Sequence, residues 1–152
     1  MKHIFSRPQF HILLTILMMA FIFLQSALPG HVSGAESNLI VRVLSGLLDA
    51  EPGQVGFVVR KGAHFAEYLV LGMCLLVNVW DCRENLRRKP GLDAGLAWAL
   101  GTLYAMTDEF HQLFVPGRSG ELRDVCIDAA GVLCGVVVMR LMRRRKGGMD
   151  RG

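Results

Sequence analysis

The chain has 152 residues, 52% of them hydrophobic, and carries 17 Lys and Arg against 13 Asp and Glu, for a net charge of +4. A mean hydropathy of +0.37 excludes low-complexity disorder, and the length is that of one domain, residues 1–152. Cysteines at 74, 82, 126 and 134, with no CxxC pair, exclude a disulfide scaffold and a zinc ribbon.

The apolar residues are gathered into runs long enough to concern a bilayer rather than scattered as in a soluble core. Phe10 to Leu28 is 19 residues interrupted only by His11, Thr15, Gln25 and Ser26, and at 1.5 Å per residue it nearly covers a hydrocarbon core of about 30 Å. A cleaved signal peptide is the alternative, with Lys2 and Arg7 before the run and Ser33-Gly34-Ala35 as the small-residue site. The run is longer than a signal core, which favours a spanning helix over residues 10–28.

The segment from Pro29 to Arg60 then reads as the one long external loop. Within it Leu39, Ile40, Val43, Leu44, Leu47 and Leu48 fall on one helical face, which predicts a short helix lying in the membrane interface. A second span follows over 62–80, carrying His64 and Glu67 in its first two turns. The third apolar run, Leu92 to Met106, has only 15 residues, about 22 Å of helix. To cross, it must carry part of Thr107-Asp108-Glu109-Phe110-His111-Gln112 with it, giving a helix over 92–112. After a tight Pro116-Gly117-Arg118-Ser119-Gly120 turn, the fourth span covers 124–142 and contains Asp128.

Orientation follows from the cations. Lys2, Arg7, Arg83, Arg87, Arg88, Lys89, Arg140, Arg143, Arg144, Arg145, Lys146 and Arg151, 12 of the 17, lie before the first span, between the second and third, or at and beyond the end of the fourth. Both termini are therefore expected in the cytoplasm, with 143–152 a basic tail anchored at anionic lipid rather than a nucleic-acid element.

This all-α, four-helix polytopic reading brings the intramembrane ionisable groups to one level. Lys61, His64 and Glu67 lie in the outer half of the second helix, Asp108, Glu109, His111 and Gln112 at the outer end of the third, and Asp124 and Asp128 at the start of the fourth. Such groups are costly in lipid unless they face one another or water, so the layer marks an inward-facing site. Lys61, His64, Tyr68 and Gly72 share a stripe, as do Asp124, Asp128, Gly131 and Gly135, the last two a GxxxG that admits a close neighbour. Glu109 falls about 100° from the face that Asp108, His111 and Gln112 share and is expected to point at the loop or the headgroups.

Three chemistries suit the layer. It can be a structural network of ion pairs. It can be an acid–base or metal centre built on His64, Glu67, Asp108 and His111, although no HExxH or similar ligand spacing is present, so no metal ligand is assigned and no cofactor is named. It can also be a binding pocket, in which Arg118 and Arg123, beside the N-terminus of the fourth helix, suit a phosphate or carboxylate, unless Arg118 simply pairs with Glu109 or Asp124.

The strings KGAHFAEYLVLG and TDEFHQLFVPGRSGELRDVCIDAAG resemble the VanZ-like family of small bacterial membrane proteins, over about Ser26 to Gly135. The serine-rich stretch of that family before Pro-Gly is kept only in part, as Ser26, Pro29, Gly30 and Ser33. The resemblance implies a multi-helix protein of the bacterial cytoplasmic membrane, with a link to teicoplanin resistance. By position it carries over Lys61, His64, Tyr68, Asp108, Glu109, His111, Gln112, Pro116, Gly117, Arg118, Asp124 and Asp128. The combined expectation is an outward-facing pocket of Lys61, His64, Tyr68, Asp108, Glu109, His111, Gln112, Arg118, Arg123, Asp124 and Asp128 that binds an anionic lipid headgroup or peptidoglycan precursor. The alternatives are an enzyme acting on lipid-linked substrates and a transporter or partner subunit, which with four helices and no repeat requires an oligomer.

Overall fold

A computed structural model describes residues 8–29, 38–83 and 89–149, excluding the side chains of Asn38, Pro90 and residues 145–149. Lys2, Arg7, Ser33-Gly34-Ala35, Arg87, Arg88 and Arg151, and the side chains of Arg145 and Lys146, therefore lie outside the description. Among the described residues the fold is all-helical: α1 (Pro8–Ala27), α2 (Asn38–Leu48), α3 (Pro52–Cys82), α4 (Pro90–Gln112) and α5 (Leu122–Met149).

Proline opens α3 and α4 at the position where its missing N–H costs nothing. α3 begins ten residues before the expected start at 62. Pro52 sets its first turn, Val55 is buried and Gly56 packs on Val41 of α2, so the end of the supposed loop is helix. The short helix expected within 29–60 is present as α2, closed by Asp49 with φ 49° in the left-handed region. Its Leu39, Ile40, Val43, Leu47 and Leu48 are exposed.

Three helices, α1, α3 and α5, are long and apolar enough to cross a membrane. α4, interrupted by Asp93 near its start and by Asp108 and Glu109 near its end, does not meet that standard by composition.

The bundle is built on the α3–α5 contact, its most extensive. A Cβ at Gly131 would sit 2.6 Å from the Phe65 carbonyl oxygen, one at Gly135 would strike the Leu69 carbonyl, and one at Gly72 the Val132 carbonyl. The GxxxG therefore does what its spacing predicts, letting two backbones meet. Tyr68, Leu71, Leu76, Ala97, Ala105, Val132 and Val136 fill the core around this seam.

α1 is attached differently. It buries only Thr15, Ile22 and Ser26, but polar bonds hold it along its length. The His11 Nδ1 lies 2.6 Å from Asp81 Oδ2, Asn78 donates to the Thr15 hydroxyl at 2.5 Å, the Tyr104 hydroxyl donates to the Met19 carbonyl at 2.7 Å, and Ser26 Oγ donates to Asp108 at 2.7 Å. The set of His11, Thr15, Asn78 and Asp81 is not apparent from the spacing of charges, because its bonded partners lie 63 to 70 residues apart.

Candidate functional site

One end of the bundle gathers the C-terminal ends of α1 and α4 with the N-terminal parts of α3 and α5. Gly117, with φ 75°, makes the α4–α5 turn possible, and Gly120 packs its Cα against the Glu109 carbonyl, where no Cβ would fit. Here lies a cavity of about 110 Å³, room for several water molecules, lined by Phe57, Arg60, Lys61, His64, Glu109, Gln112, Gly117, Arg118, Ser119, Glu121, Asp124, Ile127 and Asp128.

Of the residues expected in the pocket, Lys61, His64, Glu109, Gln112, Arg118, Asp124 and Asp128 line it. Lys61 is ion-paired with Asp124, joining α3 to α5. Asp128, one turn further along α5, is 1% exposed, and its Oδ2 has no hydrogen-bond donor among the described residues. Glu109 does turn to the loop, as its helical phase requires, but it is buried there. It accepts from Gln112 Nε2 at 3.0 Å and from the Glu121 N–H at 3.1 Å. The anion at the threshold of α5 is thus the protein's own Glu109.

Arg118 forms neither of the ion pairs expected of it. Its guanidinium donates to the carbonyls of Leu28 (3.2 Å) and Gln25 (2.9 Å), which satisfies carbonyls left over at the end of α1. Burial, and then the neighbouring Arg60, draws the Arg118 pKa below its ordinary value, and a guanidinium still keeps its charge.

Four expected residues are not cavity walls. Asp108 is buried against α1, accepting from Ser26 and from Gln112 at 3.2 Å. His111 lies beside the Phe23 ring, with centroids 4.5 Å apart. Tyr68 is fully buried in the core near Tyr104. Arg123 is exposed, pairing with Glu121 at 3.3 Å and lying over Phe57. The acid–base candidates are also apart: His64 Nδ1 and Glu67 Oε2 are 3.9 Å from each other, beyond hydrogen-bond reach. Among the described residues no three His, Cys, Asp or Glu side chains form a set that could hold a metal ion.

Sequence reasoning missed Phe57, Arg60, Ser119, Glu121 and Ile127 as walls and Ser26 as the partner of Asp108. Arg60 sits one residue before Lys61 and was within reach once the helix was allowed to start at Pro52. Ser26 offered a weaker signal, a hydroxyl in the last turn of an otherwise apolar helix.

No curated protein and no solved structure matches the chain. A family model does, described as VanZ/LLP1 and matching residues 10–143, which includes every helix that builds the cavity. The chain belongs to the VanZ/LLP1 family.

Proposed function

We propose that the protein is a four-span protein of the bacterial cytoplasmic membrane, both termini cytoplasmic, whose outward-facing cavity binds an anionic component of the cell envelope. The observation that carries this reading is the cavity wall of Arg60, Lys61 and Arg118. Arg60 is exposed and has no ion pair among the described residues, so it is the cation open to a ligand, and a guanidinium meets a phosphate with two parallel N–H bonds. The volume suits a headgroup or the phosphate end of a peptidoglycan precursor rather than a whole precursor.

α4 counts as the fourth span because its 23 residues extend about 34 Å. Its acidic ends are also covered, Asp93 by Arg83 at 3.1 Å and Asp108 and Glu109 by the bonds described above. The association with teicoplanin resistance comes from family membership alone.

Two measurements test the reading. Titrated with dihexanoyl phosphatidylglycerol in detergent, the Arg60→Gln protein should bind at least about tenfold more weakly than wild type, the loss expected for one charge-assisted contact. Unchanged affinity would remove Arg60 from the site. For topology, a variant with Cys74, Cys126 and Cys134 changed to Ser retains Cys82, which is exposed. A membrane-impermeant maleimide should label it only after spheroplasts are permeabilised, and labelling of intact spheroplasts would invert the orientation.

A further inference from the structure

The cavity is not uniformly cationic. Beside Arg60, Lys61 and Arg118 it is lined by Glu109, Glu121, Asp124 and Asp128. Most of these charges are already engaged. Lys61 and Asp124 hold each other, Glu109 takes the Gln112 amide and the Glu121 N–H, Glu121 faces Arg123, and Arg118 is committed to the carbonyls of α1. Two remain. Arg60 is exposed at the mouth, and Asp128 is buried in the cavity lining, with Oδ2 lacking any donor among the described residues.

A buried carboxyl oxygen without a hydrogen-bond partner is costly. A primary ammonium would supply that partner together with a compensating charge. Lys61 is level with Asp124 at the first turn of α5 through their ion pair, so Asp128 is one turn deeper, about 6 Å by helical rise. The cavity thus offers an unengaged cation at its mouth and an unengaged carboxylate a few bonds' length below.

We infer that the cavity selects a phosphate joined by a short link to a primary ammonium, the zwitterionic headgroup of an aminophospholipid, with the phosphate at Arg60 and the ammonium at Asp128. This rests on the reading that the mouth takes an anion, and it adds the group that the floor requires. A quaternary ammonium has the charge but no N–H to give, and a glycerol headgroup has hydroxyl donors but no charge, so both satisfy Asp128 less well.

The test compares dihexanoyl phosphatidylethanolamine, phosphatidylcholine and phosphatidylglycerol on the full-length protein in detergent. The ethanolamine lipid should bind about tenfold more tightly than either of the others. Asp128→Asn should abolish that preference, Asp128→Glu should retain it, and Arg60→Gln should weaken all three lipids together. Thermal unfolding of each variant checks that the fold is kept. Free O-phosphoethanolamine as competitor separates the sources of the headgroup. Competition as strong as that of the lipid assigns the site to a soluble phospho-amine, weaker competition assigns it to lipid, and either keeps the paired requirement. Equal binding of the ethanolamine and glycerol lipids, unaltered by Asp128→Asn, would overturn the inference and leave the anion reading standing. Failure of all three lipids to bind would overturn both.

Discussion

Replacing Lys61 by Met is expected to destabilise the protein by about 3–5 kcal/mol, the range for removing one member of a buried ion pair. The Lys61–Asp124 pair joins α3 to α5 with both side chains largely sequestered, at 19% and 10% exposure, and Asp124 Oδ1 already lacks a donor. Without Lys61 the Asp124 carboxylate faces Glu109 and Asp128 uncompensated. The companion double variant, Lys61→Met with Asp124→Leu, should recover most of the loss, because it removes the stranded charge as well as the pair. Reversible unfolding of the four proteins of the cycle in mixed micelles measures the coupling directly. If the double variant is as unstable as the sum of the singles, the contact is not the ion pair described.

The second large effect concerns the seam. Gly135→Val should destabilise by about 3 kcal/mol or more, at the upper end of overpacking costs, because the new side chain meets backbone rather than a side chain that can swing away. A Cβ at Gly135 strikes the Leu69 carbonyl and sits 3.1 Å from the Met73 nitrogen. Gly101→Ala should cost less, since its nearest neighbours are methyl groups of Val132 and Leu75. Gly62→Ala, with nothing within 4 Å, should be neutral or stabilising by up to about 1 kcal/mol through helix propensity. Thermal unfolding of the series should rank the variants in that order, and a destabilised Gly62→Ala or an unaffected Gly135→Val would contradict the packing.

Much of this arrangement was legible in residue spacing. Helical phase alone put Lys61, Tyr68 and Gly72 on one stripe and Asp128, Gly131 and Gly135 on another, and these are the two faces that meet. What spacing could not supply was the partner of a residue whose side chain has several options. Arg118 had carboxylates nearby and chose backbone carbonyls of α1 instead, because a helix end exposes acceptors that no charge count records. His111 and Asp108 lie on one face of α4 yet separate, one against Phe23 and the other bonded to Ser26, since α1 covers both. The start of α3 was misplaced because an exposed polar turn reads as loop until something packs on it. Here that is Val41 of α2 against Gly56.

The polar fastening of α1 has one more consequence. Lipid tails are as apolar as a leucine face, so burial does little to hold a helix against its neighbours inside a bilayer, and hydrogen bonds between spanning helices average only about 0.6 kcal/mol each. The bonds from Asp81, Asn78, Tyr104, Asp108 and Arg118 together therefore fasten α1 by a few kcal/mol, whereas α3 and α5 are locked backbone to backbone. α1 is thus more cheaply detached than α3 or α5. Because its C-terminal end is tied to Arg118 and Asp108, any release of α1 would open the cavity end of the bundle while the α3–α5 pair stayed shut.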